Sequence, residues 1–326
     1  MATVEYGFFQ DQLLERKQKL ENAIRSQPEP ARLQSLLEEV DAALSRLEDG
    51  SFGLCETCHE PIETERLVAD PLVRLCLDHL TTAQRRDLEQ DLELAARIQT
   101  ALLPKKQHQH AGWNVCYHYV PHHTVSGDYC DLLLGPDNRE VAFLVGDVSG
   151  KGVGASILMA HLNATFRALS GSGIGLDRAF AQANRLFCES TMPNHYATVA
   201  GARCRGSDVE ICNAGHCPPL VVRGGLVTTV PAGGLPIGMF CASEYQLQRL
   251  SLAVNDSLVL YSDGVLEARR EDGEEFGLDR LVAVVSRGAQ LAAPALLESC
   301  RNELRQFLAR GSLHDDLTIL VAQRVA

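Results

Sequence analysis

The spacing of hydrophobic positions changes along this chain, and each change marks a structural boundary. Residues 5–26 are rich in Leu, Glu, Gln and Lys and predict a helix. Ser26-Gln27-Pro28-Glu29-Pro30 ends it, because neither proline can continue a helical ladder. Leu33, Leu37, Val40, Leu44 and Leu47 follow at intervals of 4, 3, 4 and 3, an apolar seam along one helix face that stops at Asp49-Gly50. Two helices joined by a short turn predict an antiparallel hairpin. A cysteine-bearing segment occupies 55–79. Helical spacing then returns over 80–103, with Leu88, Leu92, Ala95, Ile98 and Leu102 as its apolar stripe. Pro104 and the polar KKQHQH stretch at 105–110 read as the end of a linker.

From residue 111 the texture is different. Short apolar runs, VAFLVGDVSG, ATVAGARC, DVEICNAGH, SLVLYSDGV and LTILVAQRV, alternate with Gly and Asp turns. Helical stretches stand at 154–169 and 176–190. Strands and helices without strict β-α-β alternation predict an α+β layered domain rather than a doubly wound sheet. The expected organisation is a module at 1–79, a helical linker at 80–104 and a large domain at 105–326. A chain of 326 residues is long enough for that division.

Composition narrows the function classes. The hydrophobic fraction of 45% and charged fraction of 22% are those of an ordinary globular protein. No run approaches the roughly 18–20 apolar residues of a membrane span, and the N-terminus lacks the charged and apolar regions of a secretory signal. The expected location is the cytoplasm, with no membrane partner. A net charge of −12 disfavours DNA as a partner as well. Eleven cysteines, odd in number and mostly scattered, point away from a disulfide framework and towards metal binding where they pair.

They pair in two knuckles, Cys55-Glu-Thr-Cys58 and Cys76-Leu-Asp-His79, with residues 59–75 between them. Facing each other, these supply the four ligands of a closed, structural zinc site. His59 and Asp78 are neighbouring competitors, and His79 is the one that completes the second knuckle. The segment FGLCETCHEPIETERLVADPLVRLCLDHL resembles the DksA/TraR zinc finger, including the Pro-Ile after the first knuckle and the phrase RLVADP. The resemblance implies that fold and one structural Zn²⁺. It also supplies an alternative function, an RNA-polymerase-binding transcription regulator, since that family reaches into RNA polymerase with an acidic hairpin tip. Here the hairpin is short and Glu29 is the only acid at its tip.

A second constellation consists of carboxylates at strand ends. Ser126-Gly127-Asp128-Tyr129 comes first, then Gly146-Asp147-Val148-Ser149-Gly150-Lys151-Gly152 after an apolar run. Ser262-Asp263-Gly264 follows SLVLY, and Asp315-Asp316-Leu317-Thr318 opens the last strand. Carboxylates gathered from distant positions repel one another unless a cation sits among them. Hard divalent ions, Mg²⁺ or Mn²⁺, suit such oxygen ligands. GDVSGKG is no Walker loop, because it lacks the four-residue gap before Gly-Lys and has Gly152 where Ser or Thr is needed.

The phrases AARIQTALLP, SGDYCD, GDVSGKGVGAS, NAGHCPPL, GGLPIGMF, LYSDGVLEA and DDLTILV resemble the SpoIIE/RsbU-like branch of the PPM (type 2C) serine/threonine phosphatases over residues 92–326. The sequence departs from that pattern at Gly154 and Cys217. The resemblance implies a sandwich of two antiparallel sheets flanked by helices, with two Mn²⁺ or Mg²⁺ ions at one end activating a water. Asp147 would bridge the ions, with the Val148 carbonyl on one of them. Asp263 and Asp315 would complete the coordination of the second ion, Asp128 would support the first ion directly or through water, and Asp316 would orient its neighbours. His216 is either a substrate contact or acid, or a turn histidine bonded to backbone. Lys151 is either a substrate contact or a solvated lysine. The implied substrate is a phosphoserine or phosphothreonine on a STAS-type anti-sigma-factor antagonist, in a stress-response partner-switching pathway. The front module would then regulate the enzyme, and the linker stripe predicts a homodimer.

Overall fold

The computed structural model describes residues 3–26, 31–135, 139–192, 194–309 and 313–326. The hairpin tip at 27–30, with Glu29, lies outside them. The chain divides into two compact units, Met1–Gln90 and Asp91–Ala326.

In the first unit, α1 (Thr3–Ser26) and α2 (Ala31–Asp49) form the expected hairpin. The seam of α2 is what holds it. Val40 is buried and Leu44 and Leu47 pack beside it, against Phe9 and Leu13 of α1. The Phe9 and Phe52 rings lie 5.3 Å apart and close the end of this core. A short helix α3 (Thr64–Ala69) and a single 3₁₀ turn, Leu77–His79, carry the rest of the module. Ile62 and Leu67 join the same core, and so do Cys55 and Cys76. The two knuckles are therefore built into the hydrophobic centre of the unit. Helix α4 (Thr82–Leu102) follows, and the division between units falls within it.

The second unit continues with β1 (Gln107–His110), β2 (Trp113–Val120), β3 (Asp128–Leu134) and β4 (Glu140–Val148). Helices α5 (Gly152–Ser170) and α6 (Leu176–Ser190) come next, then β5 (Ala197–Arg205), β6 (Asp208–Ala214), β7 (Leu220–Arg223), β8 (Leu226–Thr229), β9 (Leu247–Ser251) and β10 (Ser257–Tyr261). The chain ends with α7 (Asp263–Leu266), α8 (Gly277–Arg287), α9 (Ala293–Leu308) and β11 (Leu317–Arg324). The strands form two antiparallel sheets, in the orders β1-β2-β11-β10-β7-β8 and β3-β4-β5-β6-β9.

Period-two alternation explains the layering. In β11, Leu317, Ile319 and Val321 face α8 and α9, while Leu320 and Ala322 face the other sheet. In β4, Val141, Phe143 and Val145 face inward, and Leu144 and Val148 face α5 and α6. Strands buried on both faces read as continuous apolar runs, which is how this sequence writes them. The result is helices, sheet, sheet, helices. The polar stretch expected to be linker is in part β1, an edge strand paired with β2 from Gln107↔Cys116 to His110↔Trp113. An edge strand with exposed polar side chains shows no apolar signature. Leu320 is 1% exposed between the sheets. We expect Leu320→Ala to cost about 2–5 kcal/mol of stability in urea unfolding, as a core truncation does.

Candidate metal centres

The first centre forms around the knuckles. The ligand atoms of Cys55, Cys58, Cys76 and His79 all lie within 4.8 Å of one another. Cys58 Sγ is 3.8 Å from Cys76 Sγ, and His79 Nδ1 is 3.1 Å from Cys76 Sγ. His59, the neighbouring competitor, takes a positive φ of 59° and stays outside the group. Burial pushes the Cys55 thiol up, but backbone amides of Cys76, Cys58 and Thr57 outweigh it and hold it down at about 6. Burial and the two other thiols push Cys76 up. A set of thiols that share protons in this way is short of a cation, and three sulfurs with one imidazole nitrogen fit zinc.

The second centre is assembled where the two sheets end. Asp128 opens β3 and Asp147 stands last but one in β4, and the two are directly opposed in the ladder. Side chains so paired share one face, and like charges there repel. Asp128 is 1% exposed, and its Oδ2 accepts hydrogen bonds from Ser262 Oγ (2.9 Å) and Thr318 Oγ1. Burial and then the charge of Asp147 raise its pKa well above the carboxylate range. Asp147 is pushed up to about 8 by burial and by the charges of Asp263, Asp315 and Asp316. Asp263, at the start of α7, is raised by burial and by Asp315.

Asp316 has a different task. Its Oδ1 accepts the His122 amide at 2.7 Å and its Oδ2 the Gly127 amide at 2.8 Å. Both oxygens are thus used to hold the loop before β3. Two glycines are required by close approach. A Cβ on Gly264 would stand 2.0 Å from the Asp316 carbonyl, and one on Gly127 would stand 3.0 Å from the Val148 carbonyl and 3.2 Å from Asp147 Oδ1.

Lys151 precedes α5 and reaches Asp315, with Nζ 3.1 Å from Oδ2. Its side chain is 58% exposed. His216 is buried; its amide donates to Asn213 Oδ1 at 2.8 Å, and its Nδ1 lies 2.8 Å from Thr198 Oγ1. Burial pushes its pKa down to about 4, so the ring is neutral at pH 7. Thr198 is in turn the cross-strand partner of Asp147. Burial, and then the Asp263, Asp128 and Asp147 charges, push the Cys217 thiol up to about 12, which sets this residue beside the carboxylates.

The donors at this end are carboxylate and carbonyl oxygens, and the Lys151 ammonium already stands against one of them as a cation. Both features fit hard divalent ions. Ser262, Thr318 and Thr198 went unnoticed in the sequence as supports. Their signal was their place beside the Asp phrases: Ser262 before Asp263, and Thr318 two residues after Asp316.

Comparison with known proteins gives the family of the second unit. The family model described as Stage II sporulation protein E (SpoIIE) matches residues 137–325. The chain belongs to the SpoIIE family. The SpoIIE domain is a PPM-type protein serine/threonine phosphatase domain. In front of it, the prokaryotic DksA/TraR C4-type zinc finger matches residues 50–78. Phosphoserine phosphatase RsbU of Bacillus subtilis is 26% identical over 247 residues, 74% of this chain and 72% of RsbU. The RNA polymerase-binding transcription factor DksA of Caulobacter vibrioides is 39% identical over 56 residues, 17% of this chain and 39% of that protein. Among solved structures, the SiaA PP2C domain of Pseudomonas aeruginosa superposes with a TM-score of 0.64 at 19% identity, over 76% of this chain and all of that domain. That likeness establishes the fold. The zinc-finger family is C4-type, whereas the fourth candidate ligand here is His79, one residue past the match.

Proposed function

We propose that this SpoIIE-family phosphatase hydrolyses phosphoserine or phosphothreonine with two Mn²⁺ or Mg²⁺ ions at the Asp128/Asp147 end of the sheets. The observation that carries this reading is the directly opposed pair Asp128↔Asp147 with Asp147 pushed up to about 8. A carboxylate so crowded by buried like charge wants a cation beside it.

Asp147, the Val148 carbonyl, Asp263 and Asp315 would hold the ions, with Asp128 behind Asp147 and braced by Ser262 and Thr318. When bound, the ions lower the pKa of a water and neutralise charge on the phosphoryl oxygens. Asp316 acts through the backbone, keeping the loop at 122–127 against the centre. His216 is neutral and buried, so it orients Thr198 and the end of β5 rather than donating a proton. Lys151 is exposed at the rim and offers an ammonium to a phosphorylated chain.

The substrate we favour is a phosphorylated STAS-type antagonist in a cytoplasmic partner-switching pathway, by similarity to RsbU. Among the described residues no helix is long and apolar enough to cross a membrane. The test is hydrolysis of p-nitrophenyl phosphate and of a phosphoserine peptide with and without added Mn²⁺. A rate that EDTA and Mn²⁺ leave unchanged would sink the reading.

The zinc module we assign to regulation, and α4 to dimerisation. On α4, Leu88, Leu94 and Ile98 are exposed, whereas Leu92 and Ala95 are half-buried. Leu92 and Ala95 of the face expected to pair two chains are thus partly used within one, while Leu88 and Ile98 of that face stay exposed together with Leu94. We expect the full chain to sediment as a dimer and Leu94→Glu/Ile98→Glu as a monomer. Equal sedimentation of the two would remove α4 as the interface.

A further inference from the structure

Gln99 lies in the last turns of α4, and its side chain is 6% exposed. Its partners are not side chains. Gln99 Nε2 donates to the Ser126 carbonyl at 2.6 Å, and the Ser126 amide donates to Gln99 Oε1 at 3.0 Å. This is the pairing one strand makes with the next, made here by an amide side chain. Ser126 is fully buried, and its Oγ accepts the Asp128 amide at 3.0 Å.

The turn so gripped is the one that delivers Asp128. Gly127 donates its amide to Asp316 Oδ2 and its carbonyl accepts the Val148 amide at 3.2 Å. Residues 126–128 are therefore clamped on one side by Asp316 and on the other by Gln99. A second tie holds α4 in register. The Leu102 carbonyl accepts from Arg167 Nη2 at 3.5 Å, and Arg167 is held by fully buried Asp131 through two bonds of 2.7 and 2.8 Å. Asp131 stands three residues beyond Asp128 on β3. The end of α4 is thus tied directly to the turn before β3, and through Arg167 of α5 to Asp131 on β3.

We propose that Gln99 is a positioning residue for the carboxylate centre: its amide sets the turn 126–128 and thereby the affinity of the centre for divalent cations. This rests on the phosphatase reading above and adds a residue to it. A primary amide is the side chain that can both donate and accept in this geometry. Gln99→Met keeps length and volume but offers neither bond, leaving a buried amide and carbonyl of Ser126 without partners. Gln99→Glu keeps the acceptor and, when ionised, sets an oxygen against the Ser126 carbonyl.

The experiment uses the full chain. Mn²⁺ binding is measured by titration calorimetry, the Mn²⁺ dependence of p-nitrophenyl phosphate hydrolysis by initial rates, and the exchange of the 126–128 amides by mass spectrometry. Temperatures stay well below unfolding. We expect Gln99→Met to weaken Mn²⁺ binding about 10- to 100-fold, the scale for residues that orient metal ligands, and Gln99→Glu at least as much. At saturating Mn²⁺ the rate should return to within about threefold of wild type, because no ligand has been removed. Faster exchange should be confined to the turn. A residue that only stabilised the fold would lower the unfolding midpoint and leave Mn²⁺ affinity of the folded protein unchanged, and that outcome overturns the proposal. Wild-type Mn²⁺ affinity in Gln99→Met overturns it while leaving the phosphatase reading intact. Absence of Mn²⁺ binding in wild type overturns both.

Discussion

Asp147→Asn is expected to abolish Mn²⁺-stimulated hydrolysis and, without metal, to make the protein more stable at alkaline pH. The first effect follows from the position of Asp147. It is the acid that faces Asp128 across the ladder and feels Asp263, Asp315 and Asp316. Removing it takes away charge that would be shared between two ions. A loss of at least about 10²–10³ in rate is the scale for one preorganised electrostatic contact. The second effect is a matter of linkage. Burial and neighbouring charge raise the folded pKa from 3.8 to about 8. A group raised in this way contributes stability that is fully present below pH 4 and is lost as pH climbs through 8. Each pH unit in that window is worth about 1.4 kcal/mol. Between pH 6 and 8 the metal-free wild type should therefore lose roughly 2–3 kcal/mol that the Asn variant keeps. Mn²⁺ should reverse the loss in wild type, and more strongly at pH 8.5 than at pH 6.5, because it binds the ionised carboxylate and the folded chain. Thermal melts across this range, with EDTA and with Mn²⁺, give the answer. A variant whose melts track wild type at every pH, or one that still responds to Mn²⁺, would remove Asp147 from the centre.

What the sequence made legible follows from locality. The Asp phrases at strand ends are local: a short apolar run, an acid and a glycine fall within a few residues, as in LYSDG and LVGDVSG. The knuckles are local too, and the structure brings all four of their ligands together. The supports of the carboxylate centre are not local. Asp128 is held by Thr318, 190 positions away, and Ser126 by Gln99, 27 positions away. A polar residue on a helix stripe reads as solvent-facing until something packs against it, and Gln99 sits among Ala95, Ile98 and Leu102 without any mark in the periodicity. The Asp131–Arg167 pair was invisible for the same reason. Asp131 reads as part of SGDYCD, and its burial against α5 depends on sheet and helix meeting. Edge strand β1 carried no apolar pattern. Helices α8 and α9 did carry one, with Leu296, Leu297, Cys300 and Leu304 at helical spacing, and that signal was available.

Cys76→Ser should release zinc and unfold the first unit while leaving the sheet sandwich intact. The reason lies in where the knuckles are. Cys55 and Cys76 sit in the same core as Phe9, Leu13, Val40 and Phe52, so the metal site and the apolar core are one structure. Ligation by zinc is worth about 10–16 kcal/mol in small zinc domains. Without it, the gathered sulfurs lose the cation that holds them together, in a unit whose core is only a handful of side chains. Stability of so small a core is marginal on its own. The expected readouts are loss of one zinc per chain by atomic absorption and rapid amide exchange over 50–79, with α1 and α2 following. Exchange in β4, β5 and β11 should not change, since their burial involves none of these residues. His79 offers a sharper discrimination. The zinc-finger family that matches here is C4-type, so His79→Cys should keep the metal and His79→Ala should lose it. Full zinc in Cys76→Ser would mean that the four gathered ligands do not hold the ion. Full zinc in His79→Ala would show that three thiolates suffice, with Asp78 or water as the fourth.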